Sequence, residues 1–83
     1  MDQPWTLRPR PERLERRIEF DDYEQTRLFL EHLNSLSEQK SRYPDISFGR
    51  TYVNLTIAPE SGEQILEADH QLAAQIDALL PAP

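Results

Sequence analysis

At 83 residues with no cysteine, the chain is long enough for one domain with a modest core. It has neither a disulfide framework nor a Cys/His set for a structural metal. Its formal net charge is −6, from 9 Lys and Arg against 15 Asp and Glu, which argues against nucleic acid because the chain as a whole repels phosphate.

Residues 1–12 form a Pro/Arg-rich segment. Trp5-Thr6-Leu7 reads as a short first strand, with Trp5 as an apolar anchor on the domain edge. Pro9 and Pro11 cannot donate ladder hydrogen bonds, so Arg8 to Glu12 reads as a loop or sheet edge. Arg8, Arg10, Arg13, Arg16 and Arg17 supply five of the nine basic residues. The plainer reading of that run is a solvated strand face or arm; the sharper one is a docking patch for an acidic partner.

Arg13 to Phe20 alternates. Leu14, Ile18 and Phe20 share one face and Glu15, Arg17 and Glu19 the other, the period of a half-buried strand. Arg16 falls on the apolar side, which suggests that this end of the face is open. Asp21 to Ser41 reads as a helix, with Asp21 as cap and Glu24 at the capping-box spacing. Thr26, Phe29, Leu30, Leu33, Leu36 and Ser37 make its buried stripe, and Pro44 is expected to stop it. His32 and His70 sit among polar neighbours on helices and read as surface residues.

Ile46 to Phe48 and Thr51 to Ile57 read as two strands joined through Gly49-Arg50. Val53, Leu55 and Ile57 should face the core, and Tyr52, Asn54 and Thr56 water. Pro59 to Gln64 is a loop broken by Gly62. Ile65 to Leu80 reads as the last helix, with Ile65, Leu72, Ala73, Ile76, Leu79 and Leu80 on its apolar side and Pro-Ala-Pro as its stop.

This order suits one α+β domain over residues 1–83, a four-stranded antiparallel sheet with two long helices packed on one face. The other face is left open and polar, carrying Glu15, Arg17, Glu19, Tyr52, Asn54 and Thr56. Small domains without disulfides or metals often oligomerise, so a homo-oligomer is expected. No run is long and apolar enough for a membrane span and the N-terminus lacks the apolar stretch of a signal peptide, so a cytoplasmic setting is expected.

Several stretches in order resemble one family. Phe20-Asp21-Asp22-Tyr23 stands at a strand-to-helix junction. Glu38-x-x-x-Arg42-Tyr43-Pro44-Asp45 has the frame of a Glu-x-x-x-His-His-Pro-Asp/Glu motif. Val53-Asn54-Leu55-Thr56 matches Val-x-Leu-Thr, and Glu67-x-Asp69, Leu72-Ala73 and Ile76-Asp77 match a helix signature. Together, from about Arg13 to Asp77, they resemble the pterin-4a-carbinolamine dehydratases. The resemblance implies the pterin dehydratase-like fold, an oligomer (dimer or tetramer), and an activity in which histidines dehydrate a 4a-hydroxypterin.

Those histidines correspond to Arg42, Tyr43 and Glu60 here, and an expected aromatic corresponds to Arg50. A guanidinium does not give up its proton at neutral pH, and a phenol, with an ordinary pKa near 10, shuttles protons poorly there. Glu60 could ionise usefully but would stand alone. The chain therefore reads as a degenerate, non-catalytic member with no cofactor and no metal. Two groups with this fold act by binding. Animal dehydratases that double as dimerisation cofactors of a homeodomain transcription factor keep the histidines. The RuBisCO assembly factors of the α-carboxysome lack them, as this chain does. The resemblance thus implies a chaperone for RuBisCO subunits, cytoplasmic and carboxysome-associated. The alternatives are a dehydratase with residual activity and a dimerising adaptor of another client. The candidate binding cleft is Glu38, Arg42, Tyr43, Pro44, Arg50 and Glu60, and the polar sheet face is the second candidate surface. On this reading, replacing Arg42 and Tyr43 by alanine should weaken client binding and leave thermal stability nearly unchanged.

Overall fold

Alternating side chains set the central strands. In the computed structural model, which describes residues 4–80, β2 (Arg13–Glu19) and β4 (Tyr52–Ile57) run antiparallel with Leu14 opposite Ile57 and Ile18 opposite Val53. β1 (Thr6–Arg8) adds to β2, and β3 (Asp45–Phe48) to β4, giving the antiparallel order β1-β2-β4-β3. Leu14, Ile18, Val53, Leu55 and Ile57 are all buried on one side. Against them pack Phe29 and Leu33 of α1 (Tyr23–Lys40) and Leu72, Ala73 and Ile76 of α2 (Glu67–Asp77). Burial of each large apolar side chain contributes about 1.5–3 kcal/mol relative to exposure, so these residues hold the two layers together.

The ends of the elements differ from expectation in instructive ways. Asp22, not Asp21, caps α1: its carboxylate accepts from the Gln25 N–H at 2.9 Å. Gln25 reaches back past the cap to the Asp21 N–H at 3.1 Å, and Glu24 turns to Arg27. The helix also stops before Pro44 can act on it. Ser41 adopts a left-handed conformation with φ 54°, and the Arg42 N–H donates to the Ser37 carbonyl at 3.1 Å.

α2 is shorter than the span from Ile65 to Leu80. Leu66 is its N-cap, Ile65 packs on the core from the preceding loop, and Leu79 and Leu80 follow in a tighter turn. The Pro-Ala-Pro expected to stop it lies outside the described residues, as do the first three residues of the Pro/Arg-rich segment.

The Arg16 end of the apolar face is not open. Arg16 forms an ion pair with Asp77 at the end of α2, and the same carboxylate accepts from the Trp5 indole N–H at 2.9 Å. Trp5 is 7% exposed. One carboxylate thus ties the first strand region, β2 and the last helix together. Glu12 adds a second tie by accepting from the Ile65 N–H at 2.8 Å.

The β3–β4 turn explains Gly49. A Cβ there would lie 2.2 Å from Cε2 of Tyr52, so the ring lies across the glycine. Phe20 donates from its N–H to the Thr51 carbonyl at 2.8 Å and packs on Phe29, with ring centroids 5.4 Å apart.

Candidate functional site

Asp69 organises the end of the molecule where α1 stops and α2 starts. It is the third residue of α2, and its side chain is 1% exposed. One oxygen accepts from the Leu66 N–H at 2.9 Å. The other accepts from the Glu60 N–H at 3.0 Å and from Arg42 at 2.9 Å. A buried carboxylate needs such partners. Burial by itself would raise its pKa, but the N–H groups of Leu66 and Glu60, with the Arg42 guanidinium, outweigh that and leave Asp69 below its ordinary value.

Arg42 reaches this position because the left-handed turn at Ser41 sends the chain back under the helix. Its guanidinium also donates to the Ala58 carbonyl at 3.1 Å and to the Glu60 carboxylate at 3.3 Å. Beside it lies a cavity of about 220 Å³ lined by Arg42, Tyr43, Pro44, Ala58, Glu60 and Leu72, among others. Tyr43 is 68% exposed and stands at its rim.

Four of the six expected cleft residues therefore meet: Arg42, Tyr43, Pro44 and Glu60. Two do not. Glu38 is exposed on the last turn of α1, where it accepts from Asn34 at 3.3 Å. Arg50 belongs to the opposite end of α1: its carbonyl accepts from Thr26 at 2.7 Å, and its guanidinium lies 5.3 Å from the Tyr23 ring centre. From Thr26 to Lys40 the helix runs about 21 Å, so Arg50 and Arg42 stand at opposite ends of α1 and do not line one cleft. Asp69 is the residue that sequence reasoning undervalued. An acid suits the first turn of any helix, and that generic role hid a specific one.

The second candidate surface forms as a set. Glu15 lies opposite Thr56, Arg17 opposite Asn54 and Glu19 opposite Tyr52. Asp45 and Ser47 of β3 continue these rows. Glu15 accepts from Nε of Arg8 at 3.1 Å and of Arg13 at 2.8 Å, and these two arginines hold its pKa below the usual value. Arg17 stacks on Tyr52, 4.2 Å from the ring centre. His32 and His70 are both exposed, and no cluster of His, Cys, Asp and Glu among the described residues has the geometry of a metal site.

Residues 1–79 match the family of pterin 4 alpha carbinolamine dehydratases. The chain belongs to this family. A relative from Aromatoleum aromaticum, named "Putative pterin-4-alpha-carbinolamine dehydratase", is 31% identical over 77 residues, 93% of this chain and 69% of its own. One of the same name from an Azoarcus species is 32% identical over 73 residues, 88% of this chain and 62% of its own. The chain thus spans about two thirds of the length of these relatives.

Among solved structures, a pterin dehydratase-like protein identified as a RuBisCO assembly factor in the alpha-carboxysome superposes with a TM-score of 0.88. It is 38% identical, over 98% of this chain and 94% of its own. A transcriptional coactivator/pterin dehydratase from Brucella melitensis shares the fold, with a TM-score of 0.83 at 20% identity over 94% of this chain and 83% of its own. The α+β architecture, with both helices on one face of a four-stranded sheet, is thus that of the family. No helix among the described residues is long and apolar enough to cross a membrane.

Proposed function

We propose that this chain is a non-catalytic member of the family and acts as an assembly factor, a chaperone, for RuBisCO in the alpha-carboxysome. The observation that carries the reading is Arg42. By the resemblance of its motif it takes the place of a histidine, and its charge is spent on buried Asp69. A guanidinium in that position cannot take up a proton from substrate and return it. It also engages Glu60, the remaining group that could serve as a base. Proton transfer needs a group whose protonation state changes near neutral pH, and this ion-paired end of the molecule supplies a structural contact in its place. The likeness to the RuBisCO assembly factor supports the positive half of the reading.

We further propose that the protein works as a homo-oligomer joined along β3. This strand is an edge of the sheet, all four of its residues are exposed, and Ile46 and Phe48 offer apolar side chains there. Unpaired edges of this kind are ready templates for strand pairing.

Co-expression with RuBisCO large and small subunits from the same source, read by native mass spectrometry, tests the proposal. More holoenzyme, or a complex with large subunits, is the expected result. Unchanged holoenzyme with no complex rejects the assembly role. Turnover of a 4a-hydroxytetrahydropterin by the purified protein, at a rate abolished by Glu60→Gln, would overturn the non-catalytic half.

A further inference from the structure

The arginines at the β1–β2 end of the open sheet face have no place in the ion-paired cleft. We propose that this corner is a docking surface for an extended acidic peptide segment, whatever protein carries it. The inference goes beyond the assembly role and does not need the client to be RuBisCO.

The sheet face has a depression of about 390 Å³ there, lined by Thr6, Arg8, Glu15, Arg17, Asn54 and Thr56, among others. Its charge is the reverse of the chain's. Arg8 and Arg13 both direct Nε at the single carboxylate of Glu15, which leaves one positive charge in excess. Arg17 adds another. Its nearest carboxylate, Glu19, is 3.8 Å away, with a side chain 75% exposed. Among the described residues, Arg8 makes no side-chain bond other than the one through Nε, so the two terminal nitrogens of its guanidinium remain for a partner. These suit a carboxylate, which accepts two parallel N–H bonds from one guanidinium.

The geometry selects the occupant. Arg8 and Arg13 form one row across the strands and Arg17 lies two rows along. Arg17 is four positions along β2 from Arg13, about 13 Å at the strand rise. An extended peptide has the same rise, so carboxylates at positions i and i+4 meet both rows. Tyr52 lies outside the depression and backs Arg17, its ring lying between Gly49 and the Arg17 guanidinium. Glu19 and Asp45 lie on the same face and bound the basic corner. A continuous phosphate backbone would run onto these acids, whereas a short acidic segment fits between them.

The test uses the full chain and a fluorescein-labelled seven-residue peptide of serine and glycine with glutamates at its second and sixth positions. Anisotropy at low salt reads its affinity, and amide chemical shifts locate the site. Binding is expected to weaken about tenfold when either the Arg8→Gln or the Arg17→Gln variant is used, the loss of one charge-assisted hydrogen-bonded contact, comparably when one glutamate becomes glutamine, and further when both do. Shifts should concentrate in residues 6–8, 13–19 and 52–56. Both arginines are more than half exposed, so the variants should keep the wild-type circular dichroism. Equal binding of the glutamine peptide, unchanged affinity in both variants, shifts centred elsewhere, or tighter Arg17-dependent binding of a single-stranded oligothymidylate would each overturn the proposal.

Discussion

Replacing Arg42 by alanine should destabilise the protein strongly, contrary to the expectation of a neutral surface change. The substitution removes the cation from a carboxylate whose side chain is 1% exposed. Breaking a buried pair from one side costs about 3–5 kcal/mol. Here the cost falls below that range, about 2–3 kcal/mol by the measure of a charge-assisted hydrogen bond, because the Leu66 and Glu60 N–H groups still hold Asp69. A domain of this length has roughly 4–12 kcal/mol of stability in all. The midpoint of thermal unfolding should therefore fall by about 10–20 °C. Circular dichroism during heating and urea titration measures it. Tyr43→Ala supplies the contrast: its side chain is exposed and should cost no more than about 0.5 kcal/mol. In the double-mutant cycle, Asp69→Asn should recover part of the loss in the Arg42→Ala background, because it removes the stranded charge. If Arg42→Ala melts within 2–3 °C of wild type, about 0.5 kcal/mol at this size, Arg42 is not the buried partner of Asp69, and the argument that its charge is spent on the fold fails with it.

Other outcomes follow from the same contacts. The folded-state pKa of Asp69 is depressed, so its contribution is complete above the ordinary aspartate value and is lost as pH falls through that value toward the folded one. Urea midpoints measured from neutral pH down to about pH 3 should drop more in wild type than in Asp69→Asn. Parallel curves would show that Asp69 has no part in the acid loss. Asp77→Ala should release Trp5, the one tryptophan of the chain, and cost about 1–3 kcal/mol for the lost partner of a buried donor. A red shift in its fluorescence at temperatures below unfolding is the readout, and unchanged emission would mean that Asp77 does not hold the indole. Gly49→Ala should swing the Tyr52 ring off Arg17, because the new methyl falls on ring atoms. Loss of the ring-current shift on the Arg17 side-chain protons would register it, and an unaltered spectrum would contradict the stacking.

Much of the fold was readable because periodicity is local. Two-residue alternation in Arg13–Glu19 and Tyr52–Ile57 marked the central strands, and the Thr26, Phe29, Leu33, Ser37 spacing marked the buried side of α1. The polar sheet face was legible for the same reason, since a residue's face in a strand is fixed by its parity. Ends were less legible. Asp21 and Asp22 both satisfy a capping pattern, and only the path of the chain from β2 selects Asp22. Arg16 looked like a flaw in an apolar row because its partner, Asp77, lies 61 residues away.

The sequence by itself determined the α+β class, the layer order and the family. Each depends on residue type and on spacing along the chain. The tertiary structure decided where the charged side chains meet. It separated Arg50 from Arg42 by most of a helix, and it turned Arg42 inward onto Asp69. It also gathered Arg8, Arg13 and Arg17 on one face with only Glu15 between them. The physical reason is range. Hydrophobic periodicity repeats every few residues and is written locally, whereas a charge is satisfied by whatever partner the fold brings within hydrogen-bond distance, and that partner has no fixed place in the chain.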